Sequence, residues 1–322
     1  MCRTRSVIVL LCVLMLITPG CRKPTIGKHG VVRAAYVPAG YYLPFLIVEK
    51  DGLLEKRGYA LELKRFNDNA EMISNFLNGN LDVTAQSALT MFPVEQRHPG
   101  MFKFIYGQYL NSYYFVVPAD SKYQDLKALK GSKEPIGIWK SPTAAAFVEL
   151  ILATHDLKET EDYTIQRYDA GNLTAQLENK TINVLFGFDV PIAKLVESGQ
   201  FRYLEPDAAR NLLPGQPIFN GGGFVPSKLI AEDPDKARAI RDALLEAIET
   251  IRTNRSHAIE VLSEKLGFTQ AITEKAHIDE FAWPNDQLID SATATEQLLR
   301  RAGGVLEDQP LDVTRIFWLK EK

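Results

Sequence analysis

The chain has 322 residues, of which 46% are hydrophobic and 24% are charged. This is the composition of a globular protein long enough for two domains, and it excludes the low-complexity and fibrous classes. The formal net charge of −3 gives no electrostatic basis for binding nucleic acid, so no nucleic-acid partner is expected.

The first 20 residues are predicted to form a secretory signal peptide. Arg3 and Arg5 precede an almost unbroken apolar run at 6–17, which is too short to span a membrane stably. A charged start followed by a short apolar run is typical of an export signal. The protein is therefore expected in the periplasm or at the cell surface.

Residues 16–21, LITPGC, resemble the cleavage box of bacterial lipoproteins, in which the cysteine becomes lipidated. Of the three cysteines, Cys2 and Cys12 would leave with the signal. A lipidated Cys21 would then anchor the protein to a membrane, with the polar residues 22–30 as a tether. A cleaved soluble form or an uncleaved anchor is the alternative. The remaining body has no thiol, which excludes disulfides, cysteine-ligated zinc and a cysteine nucleophile.

Hydrophobic periodicity predicts an α/β unit from residue 31 to 118. Strand-length apolar runs alternate with helical patterns, and Gly52 is placed to end the first helix. This alternation favours a mostly parallel sheet covered by helices. The predicted strands are 31–36, 59–66, 81–85, 102–106 and 112–118, and the predicted helices are 43–50, 70–77 and 87–96.

A second α/β unit opens with the sequence EPIGIWKSPTAAAFVELILAT at 134–154. It is predicted to form a strand, a tight loop and a helix, because Ser141 suits the N-cap and Pro142 the first helical position. The N–H groups at such a helix start favour an anionic or polar ligand, although an ordinary capped helix is the alternative. The predicted strands of this unit are 136–138, 163–168, 182–186 and 201–204, and the predicted helices are 144–154, 173–178 and 190–197.

The last third of the chain is predicted to be mainly helical. Residues 211–223 are rich in proline and glycine, with short extended pieces at 218–219 and 224–225. Helical spacing dominates from 235 to 303, and 313–318 is predicted to be a last strand or a tail. Because such a helical segment cannot bury its apolar face alone, it is expected to pack back on the first unit.

The chain is expected to pass between the two α/β units twice, near 109–118 and near 219–226. Two crossings form a hinge, and a cleft between two lobes is a common site for small molecules.

Four sequence elements carry a resemblance to a known family. They are YYLPFLIVEKDGLLEKRGY at 41–59, LNGNLDV at 77–83, DLKALKG at 125–131 and DPDKA at 233–237. Their order and spacing resemble the solute-binding proteins of nitrate, alkanesulfonate, taurine and thiamine-precursor transporters, over about residues 31–265. The resemblance implies a two-lobed α/β fold of the type II periplasmic binding proteins, with a central cleft and two hinge strands. It also implies a receptor that delivers a small-molecule solute to the membrane permease of an ABC importer.

The expected organisation is a signal peptide at 1–20, a lipidated tether at 21–30, lobe 1 at 31–110 and 227–322, and lobe 2 at 111–226. The protein is expected to be a monomer, joined to the membrane through its lipid anchor. No cofactor is expected, and the five histidines are scattered without the spacing of metal ligands.

The candidate ligand-binding residues stand at the carboxyl ends of predicted strands, at helix starts and at the two crossings, where open α/β sheets bind ligands. Each has a structural alternative. Ser87 and Asp189 could simply cap helices, and the aromatic residues could belong to the core. The candidates are Tyr41, Tyr42, Gln86, Ser87, Tyr109, Asn111, Trp139, Ser141, Thr143, Phe188, Asp189 and Asn220.

Two features of these residues favour different ligands. Hydroxyl groups at two helix starts favour a small oxyanion such as a sulfonate or carboxylate. The many aromatic side chains favour a ring, or an apolar or cationic group. The loops at 41–42, 86–88, 139–143 and 188–189 contain no arginine, which disfavours a bidentate clamp on a multiply charged anion. The expected ligand is therefore a small organic solute that is heterocyclic, an aryl acid or sulfonate-like.

The sequence thus predicts an extracytoplasmic substrate-binding lipoprotein of an ABC importer rather than an enzyme. One alternative is an envelope sensor or lipid-handling lipoprotein that has kept the fold without a permease. A less favoured alternative is a thiamine-pyrimidine-forming enzyme. That class carries a cysteine- and histidine-rich motif, whereas this chain has no cysteine after Cys21 and no paired histidines.

Overall fold

The computed structural model describes residues 27–110, 113–140, 142–206, 208–209, 212–267, 269, 280–302 and 305–319. The predicted signal peptide and the predicted lipidation site, Cys21, lie outside these residues. Within the described ranges, no helix combines the length and the apolar character that a membrane crossing needs.

Twelve strands are numbered in chain order. They are β1 (Val31–Tyr36), β2 (Ala60–Arg65), β3 (Thr84–Ser87), β4 (Phe102–Phe104), β5 (Gly107–Leu110), β6 (Tyr113–Pro118), β7 (Glu134–Trp139), β8 (Tyr163–Tyr168), β9 (Val184–Phe188), β10 (Phe201–Glu205), β11 (Ile218–Pro226) and β12 (Phe281–Ala282).

The helices are numbered in the same way. They are α1 (Leu43–Lys50), α2 (Asn69–Leu77), α3 (Ala88–Arg97), α4 (Pro142–Ala153), α5 (Leu173–Glu178), α6 (Asp189–Glu197), α7 (Ser227–Glu232), α8 (Pro234–Thr253), α9 (Arg255–Leu266) and α10 (Asp286–Ala302).

The strands form two separate five-stranded sheets. The first has the order β12-β5-β11-β3, with β4 also paired to β11, and the parallel pair β1–β2 adjoins it through a bridge between Ala34 and Val83. The second has the order β10-β6-β9-β7-β8. The predicted series of strands and helices is therefore confirmed in outline, with one sheet for each predicted unit.

The prediction of mostly parallel sheets is wrong. Every described pair within the first five-stranded sheet is antiparallel. In the second sheet β7 runs parallel to β8 and β9, whereas β6 runs antiparallel to β9 and β10. The reason is that β5, β6 and β11 lie at the passages between sheets, so their direction is set by the return of the chain and not by a strand–helix–strand crossover.

The two short extended pieces predicted at 218–219 and 224–225 are confirmed as extended, but they are parts of a single longer strand. Residues Ile218–Pro226 form one continuous strand of nine residues, which runs through three consecutive glycines. All of β11 pairs within the first sheet, so the second crossing lies between Glu205 and Ile218 and not near 219–226. The first crossing, between Leu110 and Tyr113, lies where it was expected.

Most of the predicted strands differ from the observed ones by one or more residues at an end, and three differences have a structural bearing. β3 begins at Thr84 and not at 81, because Asp82 and Val83 donate to the carbonyl oxygen of Arg33 before the ladder with β11 starts. β9 likewise begins two residues later than predicted. The predicted last strand at 313–318 is a 3₁₀ turn at Val313–Ile316, after which Phe317 bridges to Phe104.

The helical last third packs on the first sheet, as expected. The buried face of α8 includes Ile240, Leu244 and Ile248, and this helix contacts α1. α10 lies against β11. One hydrophobic cluster runs from these helices through the first sheet into the second, and a smaller cluster lies within the second lobe.

A buried ion cluster joins three elements of the first lobe. Asp82, which is 5% exposed, accepts hydrogen bonds from the backbone N–H of Arg33 at 2.8 Å and from its guanidinium at 2.9 Å. The ammonium of Lys236, at the start of α8, donates to the same carboxylate at 2.8 Å. Burial alone would raise the pKa of Asp82, but these hydrogen bonds and charges outweigh it and hold the pKa below its usual value.

We expect Asp82→Asn to destabilise the protein by about 3 kcal/mol, because it leaves two cations facing a neutral partner in a buried site. The stability that Asp82 adds is present above its unfolded pKa of about 3.9, and it is lost as the pH falls towards the lower pKa of the folded state. Urea unfolding at pH 7 and pH 3 measures both effects, and the gap between wild type and variant should shrink at pH 3.

The matched control is Asp235→Asn, because Asp235 is exposed and its pairing with Arg238 lies within one helix turn. This change should cost less than about 0.5 kcal/mol. Equal losses for the two variants at pH 7 would contradict a stabilising role for the Asp82 cluster.

Candidate functional site

The predicted site residues of the first lobe come together where β3, β5 and β11 meet. Gly221 is paired with Ser87, Gly222 with Gln86, and Phe219 with Tyr109. This register places Asn220 on β11 beside the carboxyl end of β3, where α3 begins. Side chains from three separate parts of the sequence therefore share one edge of the first sheet.

Gly221 makes this close approach possible. Its φ of +122° is a backbone conformation that side chains other than glycine rarely adopt. A Cβ at this position would overlap the carbonyl oxygen of Gln86 and the backbone nitrogen of Ala88. Glycine is therefore required for β11 to lie directly against the start of α3.

Gln86 has a side chain whose orientation is fixed and whose donor group is unused. Its Oε1 accepts a hydrogen bond from the backbone N–H of Ser87 at 2.9 Å. Its Nε2 is buried and has no hydrogen-bond partner among the described residues. A buried polar group without a hydrogen-bond partner lowers stability by about 1–3 kcal/mol. A ligand acceptor that bonded to Nε2 would remove this cost and would be bound more tightly as a result.

Ser87 occupies the N-cap position of α3, but its side chain does not cap the helix. Its hydroxyl instead lies 3.2 Å from the hydroxyl of Thr90, one turn further along. Thr90 was missed by the sequence analysis, although a hydroxyl residue three positions after an N-cap was a usable signal. The start of α3 thus carries two hydroxyl groups and the positive end of a helix dipole.

The two neighbouring tyrosines have different environments. Tyr42 is 3% exposed, and its hydroxyl donates to the carbonyl oxygen of Ala85 at 3.0 Å. Burial raises its pKa well above the usual value. Tyr42 therefore supports the end of β3 from within the core, which agrees with the structural alternative to the ligand contact predicted for it. Tyr41 is half-buried, with its ring 5.4 Å from that of Tyr42.

Tyr109 lies at the end of β5, close to the first crossing. It is 8% exposed, and its backbone N–H donates to the carbonyl oxygen of Glu280 at 2.9 Å. Burial raises the pKa of its hydroxyl, and the carboxylate of Glu280 adds to this effect. The phenol is therefore neutral at physiological pH.

The predicted site residues of the second lobe centre on Trp139, the last residue of β7. Its ring stacks on Phe186, with the ring centres 5.7 Å apart and the planes 9° from parallel. Tyr113 lies 5.9 Å from Trp139 and 5.2 Å from Phe186, measured between ring centres. Phe186 was not among the predicted site residues, although its place near the end of a predicted strand was a signal. The three rings form an aromatic group at the carboxyl ends of β7 and β9.

Lys140 follows this aromatic group and is exposed. Its Nζ lies 3.0 Å from the carboxylate of Asp169, which is also exposed. An exposed ion pair of this kind is what is expected of a charged residue in a solvated loop.

Five predicted site residues are not described at the level of side chains. Asn111 and Ser141 lie outside the described residues. Thr143 is the second residue of α4, Phe188 is the last residue of β9, and Asp189 is the first residue of α6. These backbone positions stand at strand ends and helix starts, as predicted.

The family follows from the sequence of residues 50–276, which match the family model described as "ABC transporter, phosphonate, periplasmic substrate-binding protein". The chain belongs to this family. It is accordingly the periplasmic substrate-binding component of an ABC transporter, and the predicted solute-binding class is confirmed. No curated protein sequence matches the chain.

Solved structures of periplasmic substrate-binding proteins are similar to this one at low sequence identity. The aliphatic sulphonate binding protein SsuA from Escherichia coli has a TM-score of 0.73 and 14% identity, with 91% of this chain and 94% of that chain covered. The alkanesulfonate-binding protein SsuA from Xanthomonas axonopodis pv. citri, bound to MOPS, has a TM-score of 0.71 and 16% identity, with 89% and 98% covered. These likenesses confirm the predicted fold class.

The same fold also occurs in an enzyme. The desulfurization enzyme DSZB has a TM-score of 0.68 and 13% identity, with 90% of this chain and 96% of that chain covered. The fold of this periplasmic substrate-binding protein therefore does not by itself decide between binding and catalysis. Among the described residues, no group of three histidine, cysteine or acidic side chains is arranged to hold a metal ion.

We expect Gly221→Ala to destabilise the protein by about 2 kcal/mol or more, because the new methyl group meets backbone atoms of β3 and α3 and the φ value is strained. Thermal unfolding measures the change. Gly79→Ala is the matched control, since Gly79 also has a positive φ, of +75°, but a Cβ there meets nothing within 4 Å. The control should lose only about 1 kcal/mol. Equal losses would show that close packing at Gly221 contributes nothing.

Proposed function

We propose that this protein is the lipid-anchored receptor of an ABC importer, and that it captures a small organic acid with a flat or apolar part between its two lobes. The observation that carries the proposal is the division of the site. Polar groups at the start of α3 lie on one sheet, and the Trp139 aromatic group lies at the strand ends of the other. Because the chain crosses between these sheets twice, a hinge can close the two halves on a ligand.

The proposed roles follow from the described contacts. Gln86, Ser87 and Asn220 supply polar contacts from lobe 1, Tyr41 and Tyr109 line its rim, and Trp139 supplies an aromatic surface from lobe 2. Asn111, Ser141, Thr143, Phe188 and Asp189 stay in the proposed site as sequence predictions. Tyr42 is left out because its hydroxyl is used by Ala85.

The lobe boundaries are also part of the proposal. Lobe 1 comprises 31–110 together with 218–319, and lobe 2 comprises the chain between the two crossings. This assignment moves β11 from lobe 2 to lobe 1, because its partners are β3, β4 and β5. We expect the receptor to act as a monomer that contacts its permease.

Two comparisons with known proteins support the proposed ligand class. The neighbours of known structure include sulfonate-binding proteins, one of them bound to MOPS. The description of the matching family model names phosphonate. Both groups are oxyanions on an organic skeleton, which fits a donor-rich helix start opposite an aromatic group. An enzymatic role has less support, since the sequence holds no cysteine nucleophile after Cys21.

We expect an aryl sulfonate at 100 times its Kd to stabilise the protein by about 2.7 kcal/mol and to reduce the radius of gyration as the lobes close. Thermal shift and small-angle scattering measure these changes for a panel of sulfonates, aryl acids and heterocycles. A panel without any stabilising compound would contradict the proposal. The sensor alternative predicts binding without permease-dependent uptake, which a transport assay distinguishes.

The aromatic surface is tested by Trp139→Ala, which should weaken aryl ligands about tenfold and alkyl ligands less, because only a ring can stack on the indole. The matched control is Trp283→Ala. Trp283 is 39% exposed and packs on Arg252 of α8 in lobe 1, whereas Trp139 ends β7 of the second sheet. If both variants bind aryl ligands as the wild type does, Trp139 has no ligand contact.

We expect Cys21→Ala to move the protein from the membrane fraction to the soluble fraction, because no acyl chain can then be attached. Fractionation of cells and incorporation of labelled fatty acid measure the change. Cys12→Ala is the control and should leave both unchanged, since Cys12 lies inside the predicted signal. Unlabelled wild-type protein would contradict lipidation.

A further inference from the structure

We propose that Gln86 is the fixed donor that binds the acidic group of the ligand, and that the site selects acids with one negative charge over acids with two. This inference rests on the proposed function and deepens it. It assigns the acid to lobe 1 and the flat part of the ligand to lobe 2.

The first argument is the direction of the Gln86 amide. The oxygen and nitrogen of a glutamine amide are usually hard to tell apart, but here the partner decides. The backbone N–H of Ser87 is a donor, so the atom that accepts from it at 2.9 Å must be the oxygen. The Nε2 group is therefore the end of the amide that does not bond to Ser87, and it is buried without an acceptor among the described residues. Gln86 is only 7% exposed, so bulk water does not supply an acceptor for Nε2. A ligand oxygen that accepts from Nε2 would therefore remove the free-energy cost of this unpaired donor.

The second argument is the position of this donor beside a helix start. α3 has ten residues, and Ser87 leaves its first turn without a side-chain cap. α3 begins two residues after Gln86, so the positive end of the helix dipole lies next to this residue in the chain. The hydroxyls of Ser87 and Thr90 lie in the same turn.

The third argument concerns Asn220, which stands beside Gln86 on the neighbouring strand. It is 8% exposed, and its Oδ1 is buried with no partner among the described residues. Among the described residues, no hydrogen bond of the kind that fixes the Gln86 amide holds the Asn220 amide in one orientation. It can present Nδ2 to an unprotonated acid oxygen, or Oδ1 to an acid that still carries a proton.

The charge around the site sets the preference between ligands. The four predicted loops contain one basic residue, Lys140, and it is paired with Asp169 in solvent. On the lobe 1 side, the carboxylate of Glu280 helps to raise the pKa of Tyr109. Asp189 adds a further acidic residue at the start of α6. A helix start is equivalent to about half a positive charge, so the start of α3 offsets part of one negative charge and leaves a second negative charge unbalanced.

Two outcomes follow for related acids. A sulfonate or carboxylate carries one charge and only acceptor atoms, which Gln86 and the start of α3 can satisfy. A phosphonate carries a second charge above about pH 6, by analogy with phosphate esters, and no cation in these loops is free to balance it. Binding of the doubly charged phosphonate should therefore be disfavoured. Once the phosphonate is protonated, its O–H group can donate a hydrogen bond to Asn220 Oδ1.

The test is calorimetry on the full mature chain in detergent with four matched probes: benzenesulfonate, benzoate, phenylphosphonate and benzenesulfonamide. At pH 8.5 we expect benzenesulfonate to bind at least tenfold more tightly than phenylphosphonate and than the uncharged sulfonamide. At pH 5 the gap to phenylphosphonate should narrow several-fold, with benzenesulfonate as the internal reference because its charge does not change. Equal affinities for the sulfonate and the phosphonate at pH 8.5 would overturn the charge preference.

The role of Gln86 is tested with Gln86→Leu, which keeps the shape of the side chain and removes the donor. It should weaken benzenesulfonate and benzoate at least tenfold while the effect of Trp139→Ala on aryl ligands persists. Gln86→Lys should reverse the preference and favour phenylphosphonate at pH 8.5. Gln200→Leu is the matched control, because Gln200 is exposed at the outer end of β10.

Thermal unfolding without ligand shows whether each variant folds. If Gln86→Leu binds the acids as the wild type does, the buried amide is satisfied in some other way, such as by water, and the inference is overturned. If none of the four probes binds the wild type, the proposed function fails for aryl acids as a class. Acid binding that is indifferent to Gln86 leaves the proposed function intact and removes only this inference.

Discussion

The site depends on the close packing of β11 against the end of β3 and the start of α3. Three consecutive glycines make this possible, since a Cβ on Gly221 would overlap Gln86, and a Cβ on Gly222 or Gly223 would overlap Tyr106. Without side chains between them, the strands bring Asn220, Gln86 and Tyr109 to one edge of the first sheet. A bulkier strand would hold these residues apart, so glycine is what allows the residues of the proposed site to lie together.

Two of the sequence elements that resemble solute-binding proteins stabilise the first lobe. Asp82 from LNGNLDV and Lys236 from DPDKA lie 2.8 Å apart, although they are far apart in the sequence. Together with Arg33 they fix α8 against β1 and the approach to β3. Both elements therefore serve the frame that carries the site, and neither supplies a ligand contact in the proposed function. Resemblance in such elements is evidence for the fold before it is evidence for the substrate.

The two halves of the proposed site differ in chemistry. The first sheet offers amide and hydroxyl groups at a helix start, and the second offers stacked rings around Trp139. A ligand with one acidic end and one flat end would be bound fully only when both lobes contact it. Differential binding of this kind is what allows a ligand to shift a hinge towards its closed state. The family thus provides the mechanism, while in the proposed function the side chains at the two sheet edges determine which ligand is bound.

The sequence by itself determined most of the strands and helices in their order, the first crossing and the family, because these depend on local periodicity and on short motifs. It also named Gln86, Ser87, Asn220 and Trp139 as candidates from their places at strand ends and helix starts. It could not determine strand direction, the single strand through Gly221–Gly223, or the burial of Tyr42. Only the tertiary structure decided these features and the pairing of Trp139 with Phe186, because each depends on contacts between residues distant in the sequence, for which a local pattern contains no information.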